Sequence, residues 1–202
     1  MATETLTIDK GQQGLVSLLQ RAVALDDQAL ARFSTFSDAA VDVFVTTPFT
    51  VVASRRVVGS CSRDGAVVLI SDLLDGLEGT AVDASWGAGT LPPKTGFELL
   101  DEIPADIVYQ LSEQGKALAK QFSGPLGPPQ SLMDQAVITV EGDTEIPMRM
   151  VFALTALGLI PGMDAPAAIP RHLRVSKSGR WVRVDAPFGS VYRSTGINLF
   201  GL

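Results

Sequence analysis

The spacing of apolar residues along the chain predicts first a helix and then strands. Between Gln12 and Phe33, apolar residues recur at three- and four-residue steps, which is the period of an amphipathic helix. The acidic pair Asp26-Asp27 interrupts this pattern, and an aspartate there is suited to cap a second helical segment. Residues 1–10, which precede the helix, are interpreted as a loose tail or a short edge strand.

The apolar period changes to two after this helix. Valines alternate with other residues from 41 to 45, and 50–58 is rich in β-branched residues, so a strand is predicted in each segment. A turn at 63–65 comes before a third predicted strand at 66–70. Three consecutive strands joined by short turns predict an antiparallel meander.

Two segments rich in glycine and proline connect the predicted elements in the middle of the chain. The first, 79–96, is long, and long ordered connections are frequently functional, so we expect a pocket beneath it. A second helix is predicted from Pro104 to Phe122, because acidic residues near its start and lysines near its end suit the helix dipole. Residues 123–129 end this helix and are the predicted hinge or domain boundary.

This boundary predicts two parts, which can also form one compact domain. Residues 1–122 hold the N-terminal helix, antiparallel strands and the second helix, whereas 123–202 hold a strand, an apolar helix at 148–160 and a C-terminal hairpin. The apolar helix contains a single charge, Arg149. This arginine has either to reach a carboxylate or a carbonyl, or to extend from the first turn of the helix to solvent.

One short pattern occurs twice, and each copy lies between predicted strands. Residues 45–52 and 184–191 share the pattern V-x-x-P-F-x-x-V. Proline fixes φ at a turn, and the phenylalanine after it can enter a core. Two interpretations are open: a duplicated half with a groove for a ligand or a partner between the copies, or two unrelated corners between strands.

These patterns together predict an α+β fold in which antiparallel β-sheet segments pack with helices, with two related halves as one alternative. The chain has 202 residues, of which 46% are hydrophobic and 19% charged, so it is long and apolar enough to bury a core.

Charge is distributed unevenly along the chain. The net charge is -6, yet residues 171–202 contain six Lys or Arg and one Asp. A basic C-terminal segment on an acidic body indicates either that the two attract each other on folding or that the C-terminal strands bind an anionic partner. The overall acidity argues against general binding of nucleic acid or of an anionic membrane.

The sequence predicts no catalytic residue and no metal site, and it does not identify a cofactor. Cys61 and His172 are the sole residues of their types, which argues against a disulfide framework, a cysteine zinc site and a histidine-based catalytic group. The glycine patterns of phosphate-binding and dinucleotide-binding loops are absent from the sequence.

We therefore expect a non-catalytic binding or assembly protein that forms a homodimer. Two alternatives are open: a small-molecule enzyme or sensor with its pocket under 79–96, and recognition of an anionic partner, such as a small anionic ligand, by the C-terminal strands. The candidate ligand-binding residues are arginines and aromatic residues, which pair with and stack on anionic groups. They are Trp86, Arg149, Arg174, Arg183 and Tyr192.

Three segments resemble conserved, uncharacterised proteins of high-GC Gram-positive (actinobacterial) bacteria. They are GFELLDEIP at 96–104, SGPLGPP at 123–129 and RVDAPFG at 183–189. The resemblance implies a cytoplasmic bacterial protein and brings no activity with it. A cytoplasmic location also agrees with the N-terminus, which lacks the pattern of a signal peptide, and with the longest uncharged run, which is too short to span a bilayer.

Overall fold

The computed structural model describes residues 2–123, 128–162 and 164–195, which contain twelve strands and five α-helices. In chain order these elements are β1 (Thr3–Lys10), α1 (Gln12–Leu25), β2 (Leu30–Ser37), β3 (Ala40–Val45), β4 (Val52–Cys61), β5 (Val67–Leu69), α2 (Ile70–Gly76), β6 (Glu78–Thr80), β7 (Glu98–Pro104), α3 (Ala105–Phe122), α4 (Gln130–Asp134), β8 (Ala136–Val140), β9 (Thr144–Pro147), α5 (Met148–Ala156), β10 (His172–Ser178), β11 (Trp181–Ala186) and β12 (Gly189–Ser194).

The described strands form one large antiparallel sheet and one small hairpin. The large sheet has the order β5-β2-β3-β4-β12-β11-β10-β7, and β1 joins it by pairing with both β4 and β6. β8 and β9 pair with each other beside it. The predicted α+β class, with antiparallel sheet and packed helices, is therefore confirmed.

The strands are arranged in the same way on both sides of the central pair, β4 and β12. β3, β2 and β5 follow on one side, and β11, β10 and β7 follow on the other. Each half contains a strand, a helix and three antiparallel strands in succession, which are β1-α1-β2-β3-β4 in one half and β9-α5-β10-β11-β12 in the other. The fold thus has two repeated halves, as one of the two sequence interpretations predicted.

Alternation along the strands separates a covered face from an open face. Valines and alanines of the covered face pack with apolar residues of α1, α2, α3 and α5 in one continuous core. At the close contact of α3 with α5, a Cβ on Gly115 would lie 2.6 Å from Met148 Sδ, so glycine lets these helices approach. The opposite face, called the open face, carries a second and smaller cluster of buried residues.

The first helix is shorter than the apolar period predicted. α1 ends at Leu25, and the side chain of Asp26 accepts a hydrogen bond from the backbone N–H of Gln28 in the turn that follows. Leu30 and Phe33, which fitted the helical period, lie in β2 instead. The prediction of helix beyond Leu25 was wrong, because a short apolar segment matches both the helical period and the strand period. This segment forms a strand because it pairs with β3.

Strand pairing also corrects other predictions. The meander consists of β2, β3 and β4, while β5 pairs with β2 on the far side. The segment Thr3–Lys10 is neither a loose tail nor an edge strand, because β1 has a neighbour on each side. The acidic segment before α3 is the strand β7, and α5 ends at Ala156 rather than at residue 160. Most of the predicted hinge, 124–127, lies outside the described residues.

Candidate functional site

The open face of the sheet carries an aromatic cluster beneath the long connection. Strand residues from both halves of the sheet form its base, and two side chains of the connection, together with Phe97 directly after it, pack onto them. The strand residues are Phe44, Val52, Trp181 and Tyr192, and the covering residues are Trp86, Leu91 and Phe97. The predicted ligand-binding residues Trp86 and Tyr192 thus belong to one cluster.

A polar cleft of about 390 Å³ adjoins this cluster at the centre of the sheet. β4 and β12 pair over three residues, from Val52–Tyr192 to Ser54–Ser190, and then separate. The cleft opens where they separate, and its lining is mostly polar or charged. The lining residues are Asp42, Ser54, Arg55, Arg56, Arg183, Asp185, Pro187, Phe188, Gly189, Ser190 and Tyr192.

Two arginines of the cleft are held by aspartates. Arg56 makes two hydrogen bonds of 2.7 Å to the carboxylate of Asp42, which raises the pKa of the Arg56 guanidinium. The Nε of Arg183 lies 2.9 Å from Oδ2 of Asp185, and its guanidinium stacks 4.2 Å from the ring centre of Phe97. Because each of these charges is already neutralised, an anion in the cleft would have to compete with an aspartate.

Tyr192 supplies a neutral hydroxyl to the same cleft. The residue is 7% exposed, and burial raises the pKa of its phenol. Ser54 Oγ donates a hydrogen bond of 3.3 Å to the phenolic oxygen. Arg183 and Tyr192 are direct partners across β11 and β12, so the structure brings these two predicted residues together.

A second cavity, of about 490 Å³, lies beneath the segment 79–96, where the sequence predicted a pocket. Trp86 forms part of its wall, and its indole Nε1 donates to the carbonyl of Gly89. The guanidinium of Arg32 lies 5.6 Å from the centre of the Trp86 ring. That this cavity takes a ligand stays a prediction.

The other two predicted residues lie away from the cleft. Arg149 is 9% exposed; it donates to Asp134 Oδ1 at 2.5 Å and to the carbonyl of Phe49 at 3.0 Å. The alternative in which it extends to solvent is therefore wrong. Arg174 is exposed on β10, with its Nε 3.7 Å from a carboxylate oxygen of Glu102.

Sequence reasoning missed Arg55, which lines the cleft and also a cavity on the covered face. Arg55 lies between Ala53 and Val57, which are both buried, so it occupies the buried phase of β4. This alternation of buried residues along β4 was the available signal.

The described residues give no indication of a metal site, since no three of their His, Cys, Asp and Glu side chains are close enough together to hold an ion. His172 is half exposed and lies 3.9 Å from Glu102. None of the helices in the described ranges is both long enough and apolar enough to cross a membrane.

The same fold occurs in crystal structures of DNA polymerase sliding clamps. The clamp of Pseudomonas aeruginosa with ligand is 11% identical to this chain at a TM-score of 0.53, covering 99% of this chain and 66% of the clamp chain. The clamp of Caulobacter crescentus is 6% identical at a TM-score of 0.54, covering 96% and 65% respectively. The clamp of Bacillus subtilis is 10% identical at a TM-score of 0.52, covering 99% and 66%.

This likeness shows the fold alone, because the sequence identity is very low. The chain spans less than two thirds of the length of each of these clamp chains. A comparison with curated proteins finds no match.

Two family profiles divide the chain between them. A profile described as a domain of unknown function, DUF8010, matches residues 1–95. A second, described as a domain of unknown function, DUF8185, matches residues 92–198, which is more than half of the chain. The chain therefore belongs to the family of the domain of unknown function DUF8185.

Proposed function

We propose that this protein is a non-catalytic binding protein that forms a homodimer through the edge strand β7. The fold supports a binding role, since the solved structures that share it are DNA polymerase sliding clamps. The observation that supports the homodimer is that the chain covers one end of the large sheet and not the other.

The β5 end of the sheet is covered by the chain itself. The backbone N–H of Val67 donates to Asp83 Oδ1, and the carbonyl of Val67 accepts a hydrogen bond from the N–H of Val82. In the described residues β7, at the other end, is paired with β10 alone, and Leu99 on it is 49% exposed. The free edge of β7 supports an isologous pair of β7 strands, which closes at two copies.

The charge of β7 sets the conditions for this dimer. Glu98, Asp101 and Glu102 would approach their counterparts in an antiparallel pair of β7 strands, and like charges facing each other are destabilising. Salt screens this repulsion, so the dimer should be weakest at low ionic strength.

Sedimentation equilibrium over a range of protein and salt concentrations tests the proposal. We expect a monomer–dimer equilibrium that shifts toward dimer as salt rises, and a loss of dimer in Leu99→Asp. Leu118→Asp is the matched control, since Leu118 on α3 is 41% exposed and lies outside β7. A monomer at every concentration, or equal loss of dimer in both variants, contradicts the proposal.

A second candidate function is recognition of an anionic partner segment at the cleft between β4 and β12. Arg183 stacked on Phe97 beside the Tyr192 hydroxyl favours it, because a guanidinium and an aromatic face together bind carboxylates and phosphates. A poly-glutamate peptide and a short DNA duplex serve as probes. Affinity for either probe should fall with salt and disappear in Arg183→Glu, and affinity that survives this variant excludes the cleft.

A further inference from the structure

A separate cavity of about 380 Å³ lies on the covered face of the sheet, on the other side of the β4–β12 junction from the cleft. It is bounded by the first turns of α1, by Arg55 of β4 and by the segment after α5. Its lining residues are Gln13, Gly14, Ser17, Leu18, Arg21, Arg55, Leu157, Gly158, Leu159 and Phe188. Two of them are arginines and none is acidic.

Arg55 carries a partly buried charge that no carboxylate of the described residues neutralises. Within the described residues it forms no ion pair, and its Nη1 donates at 2.5 Å to the carbonyl of Phe188. Burial lowers the pKa of the Arg55 guanidinium. Arg149, Arg56 and Arg183, in contrast, each have an aspartate. A buried cation without a counterion is costly, and a bound anion would offset that cost.

Gly14 makes room for this guanidinium. It is the third residue of α1, and in that position glycine is about 1 kcal/mol less favourable than alanine. Its φ is not in the left-handed region, so the backbone does not require a glycine. A Cβ at position 14 would collide with the Arg55 guanidinium, and this clash explains why a glycine occupies the position.

Arg21 completes the polar wall of the cavity. Its Nε lies 2.6 Å from the place where a Cβ on Gly158 would stand, so its guanidinium lies close to the backbone after α5. Like Arg55, it forms no ion pair with the carboxylates of the described residues. α1 has no acidic side chain in its first turn, so the positive end of its dipole adds to the same field.

Apolar side chains form the rest of the cavity. Leu18, Leu157 and Leu159 are buried core residues that border it, and Phe188 of the second Pro-Phe turn borders it as well. The cavity therefore offers two guanidinium groups and an apolar wall.

We propose that this cavity binds a small organic anion, in which a phosphate or carboxylate group is joined to a compact apolar body. The two guanidinium groups hold the anionic group through charge-assisted hydrogen bonds, and the leucines take the apolar body. This site does not depend on the proposed homodimer, and it shares Arg55 and Phe188 with the lining of the cleft on the open face.

Isothermal titration calorimetry of the full chain tests the site with two probes at matched ionic strength, phenyl phosphate and inorganic phosphate. We expect phenyl phosphate to bind more tightly than inorganic phosphate, because its ring adds apolar contact. Arg21→Met and Arg55→Met should each weaken phenyl phosphate binding roughly tenfold or more, which is the effect of losing a charged hydrogen bond. Lys116→Met, which removes a positive charge on α3, should leave the affinity unchanged.

Gly14→Ala tests the position of the Arg55 guanidinium without changing the charge of the cavity. It keeps both arginines but pushes the Arg55 guanidinium out of place, so it should also weaken phenyl phosphate binding. Arg21 lies at the exposed surface of α1, so Arg21→Met still reports on the site if substitution of Arg55 prevents folding. Absence of phenyl phosphate binding to the wild-type chain, or equal weakening in Lys116→Met, overturns the proposal.

Discussion

The two Pro-Phe corners occupy equivalent places in the two halves, yet they are built differently. The first joins β3 to β4, and its strands pair again at Val45 and Ala53, with Thr50 between them at a φ of 56°. The second joins β11 to β12 through a turn of two residues, since Ala186 pairs directly with Gly189. The same sequence pattern therefore marks the same topological position but does not determine the length of the turn.

Each corner is also held by an arginine from the other half of the molecule. The carbonyl of Phe49 accepts a hydrogen bond from Arg149 of α5, and the carbonyl of Phe188 accepts one from Arg55 of β4. Arg149 has Asp134 as its counterion, whereas Arg55 has none among the described residues and borders a cavity. The comparison indicates that the first arginine is a structural contact and that the second is available to a ligand.

The largest effect is expected at the first corner. Arg149→Met keeps the length of the side chain but leaves the Phe49 carbonyl and the Asp134 carboxylate without their shared donor. Removing the buried Arg149 guanidinium should lower the free energy of unfolding by about 2–3 kcal/mol, less than for a fully buried pair, because Asp134 is half exposed and regains water. Urea unfolding followed by tryptophan fluorescence measures this loss.

Asp134→Asn is the control for the charge of this contact. It keeps an acceptor for the Arg149 guanidinium, so its effect should be smaller than that of Arg149→Met. A loss below about 0.5 kcal/mol in Arg149→Met is the size of an ordinary surface substitution and would mean that Arg149 does not stabilise the corner.

A feature could be predicted from the sequence when the residues that define it lie close together in the chain. The Pro-Phe corners, the helix from 104 to 122 and the hairpin after His172 were recognised because neighbouring residues define them. The pairing of β4 with β12, which joins the halves, depends on residues more than 130 positions apart and has no local signal.

One repeat was present in the sequence and was overlooked. Glu-Ile-Pro occurs at 102–104 and again at 145–147, and each copy ends a strand that leads directly into a helix, α3 or α5. Proline at this junction suits the start of a helix, because its missing N–H has no partner there in any case. This pattern marks the residue before the start of both α3 and α5.

For a related reason, only some residues of the candidate site could be predicted from the sequence. Arg183 and Tyr192 were recognised as residues of the basic C-terminal strands, and they do lie side by side. Arg55 could not be recognised without the strand register, since composition alone does not tell which face of β4 an arginine occupies.

The smallest effect on stability is expected at the second corner, from Arg55→Met. The variant loses one hydrogen bond to Phe188 but also removes a partly buried charge that has no counterion among the described residues, so the two contributions oppose each other. The free energy of unfolding should change by less than about 1 kcal/mol in either direction. In the wild-type chain, phenyl phosphate should raise the urea midpoint by mass action, whereas in Arg55→Met it should not. A loss in Arg55→Met as large as that in Arg149→Met would show that both arginines are structural contacts, and the difference between the two corners would then be one of turn length alone.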